Sequence, residues 1–164
     1  MDKDHHTNWW SLKASARVTD LIPNFTITAE YTRTNPMVYK HFNESTTYET
    51  TGYNLGHYLR DNAQEIFAQV DWRPIRGFNA YINYVYATKG NDYVDDRTVR
   101  NPNTGDLFIR GLPFQEDIIW SNHTIGAGVK YEIVNGVHTS LNYQYMNIKD
   151  DSRTYTAGYF LGSR

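Results

Sequence analysis

Cysteine is absent from this chain of 164 residues, which excludes a disulfide framework and a thiolate-bound zinc. No stretch reaches the ~18 consecutive apolar residues that a membrane-crossing helix needs. Neither sign of charge dominates: 16 Lys and Arg stand against 18 Asp and Glu, so nothing calls for a nucleic-acid partner. The opening Met1-Asp2-Lys3-Asp4-His5-His6 has no apolar core of a secretory leader. If exported, the sequence is therefore expected to be a mature form or a piece of a longer chain. Its end supports a piece, since Leu161-Gly162-Ser163-Arg164 breaks off in mid-pattern without a terminal aromatic. Low mean hydropathy does not exclude a transmembrane β-barrel, because only every second strand residue meets lipid.

What is abundant is tyrosine, with 14 residues beside four tryptophans. Tyr joins an apolar ring to a polar tip, which suits a membrane–water interface, though any all-β protein also uses it freely.

The ordering signal is a period of two, the mark of a strand with one apolar and one polar face. In the clearest hairpin, Ile66, Ala68, Val70 and Trp72 alternate with Glu65, Gln69 and Asp71. After the turn Arg73-Pro74-Ile75-Arg76-Gly77, Phe78, Ala80, Ile82, Tyr84 and Tyr86 share one face, and Asn79, Tyr81 and Asn83 the other. The same pattern predicts strands over Trp9–Thr19 and Phe25–Arg33, with Lys13, Arg17 and Glu30 on their polar faces. It predicts two more over Ile118–Glu132 and Val137–Ile148, joined at Asn135-Gly136, a strong hairpin signal. Here Ile119, His123 and Ile125 fall on the apolar parity, Trp120 and Lys130 on the polar one, and His138 and Gln144 face the same side as Lys130. A seventh strand is expected from Tyr155 to Leu161.

Connections alternate short and long, the long ones covering 34–63 and 89–117. Strands of about ten residues with short turns at one end and long loops at the other are the pattern of an outer-membrane barrel. A soluble sandwich has shorter strands and less systematic loops. The expected fold is all-β, an antiparallel transmembrane β-barrel in part, of six or seven long strands, with residues 1–164 forming one barrel segment and the long loops extracellular. Two aromatic girdles are expected, Phe25, Trp72, Phe78 and Tyr131 near the short turns and Tyr31, Tyr84, Tyr86, Tyr143 and Tyr145 near the long loops.

Some segments carry a resemblance. Glu30-Tyr31-Thr32-Arg33-Thr34-Asn35-Pro36 with Tyr39 and His41, Tyr53-Asn54-Leu55-Gly56-His57-Tyr58-Leu59, Trp72 to Gly77, and Trp120-Ser121-Asn122-His123-Thr124 together resemble the C-terminal barrel portion of Bacteroidota outer-membrane proteins grouped with the capsule-assembly Wzi family. Related gliding-associated barrels are similar. The resemblance spans about Asn24 to Gln144 and implies a larger barrel in the outer membrane, a role at the cell surface and contact with capsular polysaccharide. The front portion and closing strand of the family are not in this sequence, and no catalytic set carries over.

The polar parity, Lys13, Arg17, Glu30, Glu65, Asp71, Asn83, Lys130 and Gln144, is expected to face a lumen. Its mixed sign argues against a strongly ion-selective pore. Binding residues concentrate on loops, and Tyr39, His41, Tyr53, His57, Tyr58 and Arg60 offer rings and hydrogen-bonding edges suited to sugars. The plainer alternative is that this loop folds over the barrel mouth and its aromatics make a small private core.

His5 and His6 beside Asp2 and Asp4 are weak as a metal site, so neither metal nor cofactor is expected. Ser121 and His123 would be the only nucleophile–base pair, but no orienting carboxylate accompanies them, so no catalysis is expected. The function expected is non-catalytic surface-polysaccharide attachment or assembly, with outer-membrane lipid, the polysaccharide and other outer-membrane subunits as partners. The alternatives are a porin-like channel or structural subunit of a larger complex, and a soluble carbohydrate-binding sandwich.

Overall fold

The computed structural model describes residues 10–39, 49–50, 53–93 and 112–151. Eight strands follow in order: β1 Ser11–Thr19, β2 Phe25–Thr34, β3 Glu49–Thr50, β4 Tyr53–Asn54, β5 Ala63–Trp72, β6 Phe78–Gly90, β7 Ile118–Val134 and β8 Val137–Asp150. Six of them form one antiparallel sheet in the order β1-β2-β5-β6-β7-β8, and β3 and β4 pair as a separate two-stranded ribbon. The architecture is all-β, and the sheet is open between β1 and β8. Residues 155–161, expected as a further strand, lie outside the described residues.

Alternation placed the strands to within two residues at each end, because a strand stops where one face ceases to be uniform. The long connections are shorter than the sequence suggests. Thr34 and Ala63 close the β2–β5 ladder, and Lys89 and Gly90 extend β6. The β3–β4 ribbon sits inside a stretch with no sustained period, since two-residue strands are too short to display one.

Register turns the alternation into two continuous faces. Across the sheet run the rows Val18–Ile27–Val70–Ile82–Ala127–Tyr143 and Ala16–Ala29–Ala68–Tyr84–Ile125–Tyr145. The opposite face carries Arg17–Thr28–Gln69–Asn83–Gly126–Gln144 and Thr19–Thr26–Asp71–Tyr81–Gly128–Asn142. An apolar strip of Phe67, Val85 and Met146 crosses this polar face beside Glu30 and Thr124.

Burial is inverted relative to a water-soluble sheet. Ile27, Ile66, Ile82, Ile125, Val129, Leu141 and Tyr143 are exposed, whereas Thr26, Thr32, Asp71 and Thr124 on the polar face are buried. Water-facing surfaces do carry scattered apolar residues, but a contiguous apolar sheet face marks an interaction surface.

Short turns close one end. Asn24 and Asp20 adopt positive φ (69° and 58°), conformations that Asn and Asp tolerate through local hydrogen bonding. Asp20 N donates to Phe25 O (2.9 Å) and Arg73 N to Asn24 O (2.9 Å), so the first turn also braces the start of the second. Gly77 has φ +82°, and a Cβ there would press on Glu132, whose own N donates to Gly77 O (2.9 Å). Beside these turns four rings form a belt on the apolar face: Phe25 stacks on Trp72 at 6.1 Å, Trp72 meets Phe78 edge-on at 6.0 Å, and Phe78 tilts onto Tyr131 at 6.3 Å. These are the four rings that the sequence places beside the short turns. The second set of tyrosines follows no single ladder row: Tyr84 pairs with Ala68 and Ile125, and Tyr143 with Ala127. Strands end at different rows, so distance from a strand's own end does not give the row.

Two glycines of β7 accommodate their neighbours on the polar face. A Cβ on Gly128 would fall 2.4 Å from the Tyr81 ring and from Asn142 Oδ1, and one on Gly126 would fall 2.4 Å from Asn83 Oδ1. The Tyr81 ring therefore crosses Gly128 to donate its hydroxyl to Asn142 Oδ1 at 2.9 Å, covering a residue with no side chain to pack. Gly128→Ala is expected to cost about 1–3 kcal/mol through overpacking, read as a lowered urea midpoint. Combining it with Tyr81→Ala is expected to recover part of that loss.

Candidate functional site

At the long-loop end the strand termini are clasped from both faces. Lys89, the penultimate residue of β6, points to the polar side and is 1% exposed. Its ammonium donates to Leu59 O (3.3 Å) and Asp61 O (3.2 Å) and contacts Asp92 Oδ1 at 3.4 Å. A buried cation is tolerated only with such partners. Leu59 packs with Ala63, Ala87 and Trp120 into a small core, with Ile119 against it. Ile119 reaches this core because the ladder skips it, Lys89 pairing with Trp120 and Gly90 with Ile118.

Segment 112–117 covers the other side of the rim, on the apolar parity. Gln115 Nε2 donates to Thr88 O (3.0 Å), and Gln115 Oε1 accepts from Gln64 Nε2 (3.2 Å). Asn62 joins the two segments. Its Oδ1 accepts from Gln115 N (2.8 Å), its Nδ2 donates to Asn91 O (2.8 Å), and its carbonyl accepts from Gly90 N (2.7 Å). Asn62, Gln115 and Arg60 all have positive φ (55°, 48° and 62°), conformations held by this network. Further out, Tyr93 donates its hydroxyl to Pro113 O at 2.9 Å, fastening the two ends of the second long connection.

On the polar face, inside the clasp, a loop dyad meets the sheet. Tyr58 donates its hydroxyl to Glu65 Oε2, and His57 Nε2 lies 3.6 Å from Glu65 Oε1. His57 Nδ1 accepts from Leu59 N (3.4 Å), an arrangement that leaves the ring proton on Nε2, facing the carboxylate. The two rings stand 4.6 Å apart and tilted. Tyr58's ring is exposed, yet its hydroxyl is pushed above the ordinary phenol range, first by loss of water around it and then by Glu65. A raised phenol pKa means the folded rim favours the protonated form. Its contribution is full below about pH 10, the unfolded value, and declines as alkali ionises Tyr58. Tyr58→Phe is expected to cost the rim about 1 kcal/mol at neutral pH and to remove this alkaline sensitivity, both read from amide exchange of residues 57–62.

Of the loop residues expected to meet a ligand, His57 and Tyr58 face Glu65, a residue expected to face the lumen. Tyr39 is instead internal: its ring covers Gly56, its hydroxyl accepts from His57 N (3.2 Å) and its own N donates to Asp61 Oδ1 (2.8 Å). Arg60 N donates to His57 O (2.8 Å) within a tight turn. Tyr53 lies in β4, and His41 is outside the described residues, as are His5 and His6. The loop does fold over the strand ends, but what it contributes to the small core there is Leu59 rather than one of its aromatics.

All eight polar-parity residues share one face. Lys13 and Glu30 pair at 2.8 Å, Gln69 Nε2 donates to Asp71 Oδ2 at 2.9 Å, and Asn83 and Gln144 flank Gly126. Arg17 opposes Thr28 and Lys130 opposes Ser140. Ser121 and His123 lie on the apolar face, where His123 Nδ1 is bonded to the Tyr84 hydroxyl at 2.8 Å and its ring lies 4.5 Å from Tyr86.

Lys89, Asn62 and Gln115 had not been singled out in the sequence. Asn at a positive φ has a weak signal; a Lys that turns inward and a Gln in a left-handed conformation have none. Comparison of the chain with family models, curated proteins and solved structures finds no match.

Proposed function

We propose that the chain is a stretch of an antiparallel transmembrane β-barrel in a bacterial outer membrane. Its long-loop rim would act without catalysis in attaching or assembling surface polysaccharide. The observation that carries the membrane placement is the inverted burial of the central strands, with Ile27, Ile66, Ile82, Ile125 and Val129 of the apolar parity exposed and Thr26, Thr32, Asp71 and Thr124 of the polar parity buried. Backbone polarity allows only helices and closed sheets to span lipid, and no helix of the described residues is long and apolar enough to cross.

Two dimensions support it. The apolar parity of β6 runs from Phe78 to Tyr86, which at ~3.3 Å per residue and a strand tilt near 40° covers about 20 Å of depth. A barrel's apolar band is about 25 Å tall. The borders of the band also slope across the sheet. The lower steps from Phe25 and Trp72 down one row to Phe78 and Tyr131, and the upper from Tyr31 through Tyr84 and Tyr86 to Tyr143 and Tyr145. Strands ~4.8 Å apart at that tilt shift a level line by about 4 Å, just over one residue, per strand. Both borders descend in the same direction, as one tilted band requires.

Polysaccharide contact rests on the family resemblance and on the exposed Tyr58 ring braced by His57 and Glu65, a flat surface next to hydrogen-bonding groups. Capsular polysaccharide purified from the producing cells is expected to be retained by the immobilised full-length protein and lost with Tyr58→Ala. Undiminished retention by the variant would contradict the assignment, and large steady currents in a planar bilayer would favour a channel instead.

A further inference from the structure

We propose that Arg33, in contact with the rings of Trp10 and Phe114 on the apolar face, binds the phosphate of an outer-leaflet lipid headgroup; this rests on the membrane reading above. Arg33 stands on the parity of Ile27 and Tyr31, in the row Leu12–Arg33–Gln64–Thr88–Ser121–Lys149. On β2 the upper border of the apolar band falls at Tyr31, and Arg33 is the next residue on that face. On this strand it therefore lies at headgroup level, above the hydrocarbon.

A guanidinium on this face needs a reason to stay there. Its carbon lies 3.8 Å from the centre of the Phe114 ring and 5.3 Å from that of Trp10. Two rings thus lie within cation–π range of the guanidinium, contacts that suit its flat, weakly hydrated charge better than a lysine ammonium. Nε donates to Asn35 Oδ1 at 3.3 Å, which fixes the rotation of the plane. Among the described residues no carboxylate pairs with Arg33, and its two Nη groups have no acceptor. Nearby acids are committed on the other face, Glu30 to Lys13 and Glu65 to Tyr58 and His57. The result is a cation held by two rings with its terminal donors unfilled, on the apolar side of the sheet. Phosphate oxygens match that pair of donors. Lipid is taken as the source because the site shares a face with the apolar band.

The full-length protein is to be reconstituted in phosphatidylcholine vesicles and in the same vesicles doped with diphosphorylated lipid A, and the lipid that remains after re-extraction identified by native mass spectrometry. Retained lipid A is expected to exceed its bulk proportion about tenfold, the scale of one charge-assisted contact. Arg33→Gln is expected to abolish the excess while entering plain vesicles as the wild type does. Arg33→Lys keeps the charge and is expected to retain only part of it. Equal enrichment in wild type and Arg33→Gln overturns the proposal, as does equal enrichment of dephosphorylated lipid A. Displacement of the lipid by inorganic phosphate at its bulk concentration would assign the site to a soluble anion and overturn the lipid source. If the wild type fails to enter plain vesicles, the membrane reading falls and the proposal with it.

Discussion

Ile82→Lys is expected to stop the protein assembling in a membrane. Ile82 lies in the middle of the apolar band, between Val70 and Ala127 in its row, and is exposed. On a water-facing sheet a lysine at an exposed position changes stability by about 0.5 kcal/mol or less. At the midplane of a bilayer the same substitution costs about 2–4 kcal/mol, enough to consume much of the stability of an ordinary domain. The control is Ser15→Lys, which places the same charge on the opposite face, across from Glu30, and is expected to be tolerated. Folded fraction in detergent micelles, read from the mobility of unheated against heated protein on a gel, separates the outcomes. A soluble, folded Ile82→Lys protein would contradict the membrane placement.

The second large effect concerns the rim. Lys89→Met is expected to release the segment 55–62 from the sheet. The carbonyls of Leu59 and Asp61 would lose the ammonium that satisfies them inside a buried site, and methionine supplies similar bulk with no donor. Leaving such acceptors without that donor costs about 2–4 kcal/mol, all of it falling on a local unit whose opening need not unfold the strands. Trypsin cleavage after Arg60 is expected to become rapid in the variant and to stay slow in the wild type. Asn62→Ala, which removes the side-chain bonds to Gln115 and Asn91, is expected to expose the same bond. Because both variants open one clasp, their effects are expected to combine less than additively. Intact protection of Arg60 in Lys89→Met would show that the clasp does not depend on the ammonium.

The sequence made the strands legible and the rim obscure, for one physical reason. Alternation is imposed along a strand whose two faces meet different surroundings, so Ile66 to Trp72 and Phe78 to Tyr86 announce their faces residue by residue, Phe67 and Val85 excepted. The belt of rings formed by Phe25, Trp72, Phe78 and Tyr131 was legible because it lies beside short turns whose position is itself visible. The rows that Tyr84 and Tyr143 share with their neighbours were not legible, because they depend on register between strands, which one strand's pattern does not contain. The rim follows neither rule. Lys89 looks like the start of a loop, since lysine usually marks water; its burial is decided by the carbonyls of residues about thirty positions earlier. Tyr39 has the composition of a ligand contact and is instead folded onto Gly56, a placement set by the absent side chain of a distant glycine. Glu65 was legible as a polar-face residue, but not as the anchor of Tyr58.

The central claim is that the exposed apolar parity faces lipid. With no cysteine in the chain, single cysteines can be introduced one at a time along β6 without first removing others. Nitroxide labels at Asn79, Ala80, Tyr81, Ile82 and Asn83, in the full-length protein reconstituted in vesicles, would report their surroundings through collisions with oxygen, which concentrates in lipid, and with a water-soluble nickel chelate. Labels at Ala80 and Ile82 are expected to collide mainly with oxygen, and labels at Asn79, Tyr81 and Asn83 to lack that access. Ready access of the nickel chelate to Ala80 and Ile82 would contradict the account.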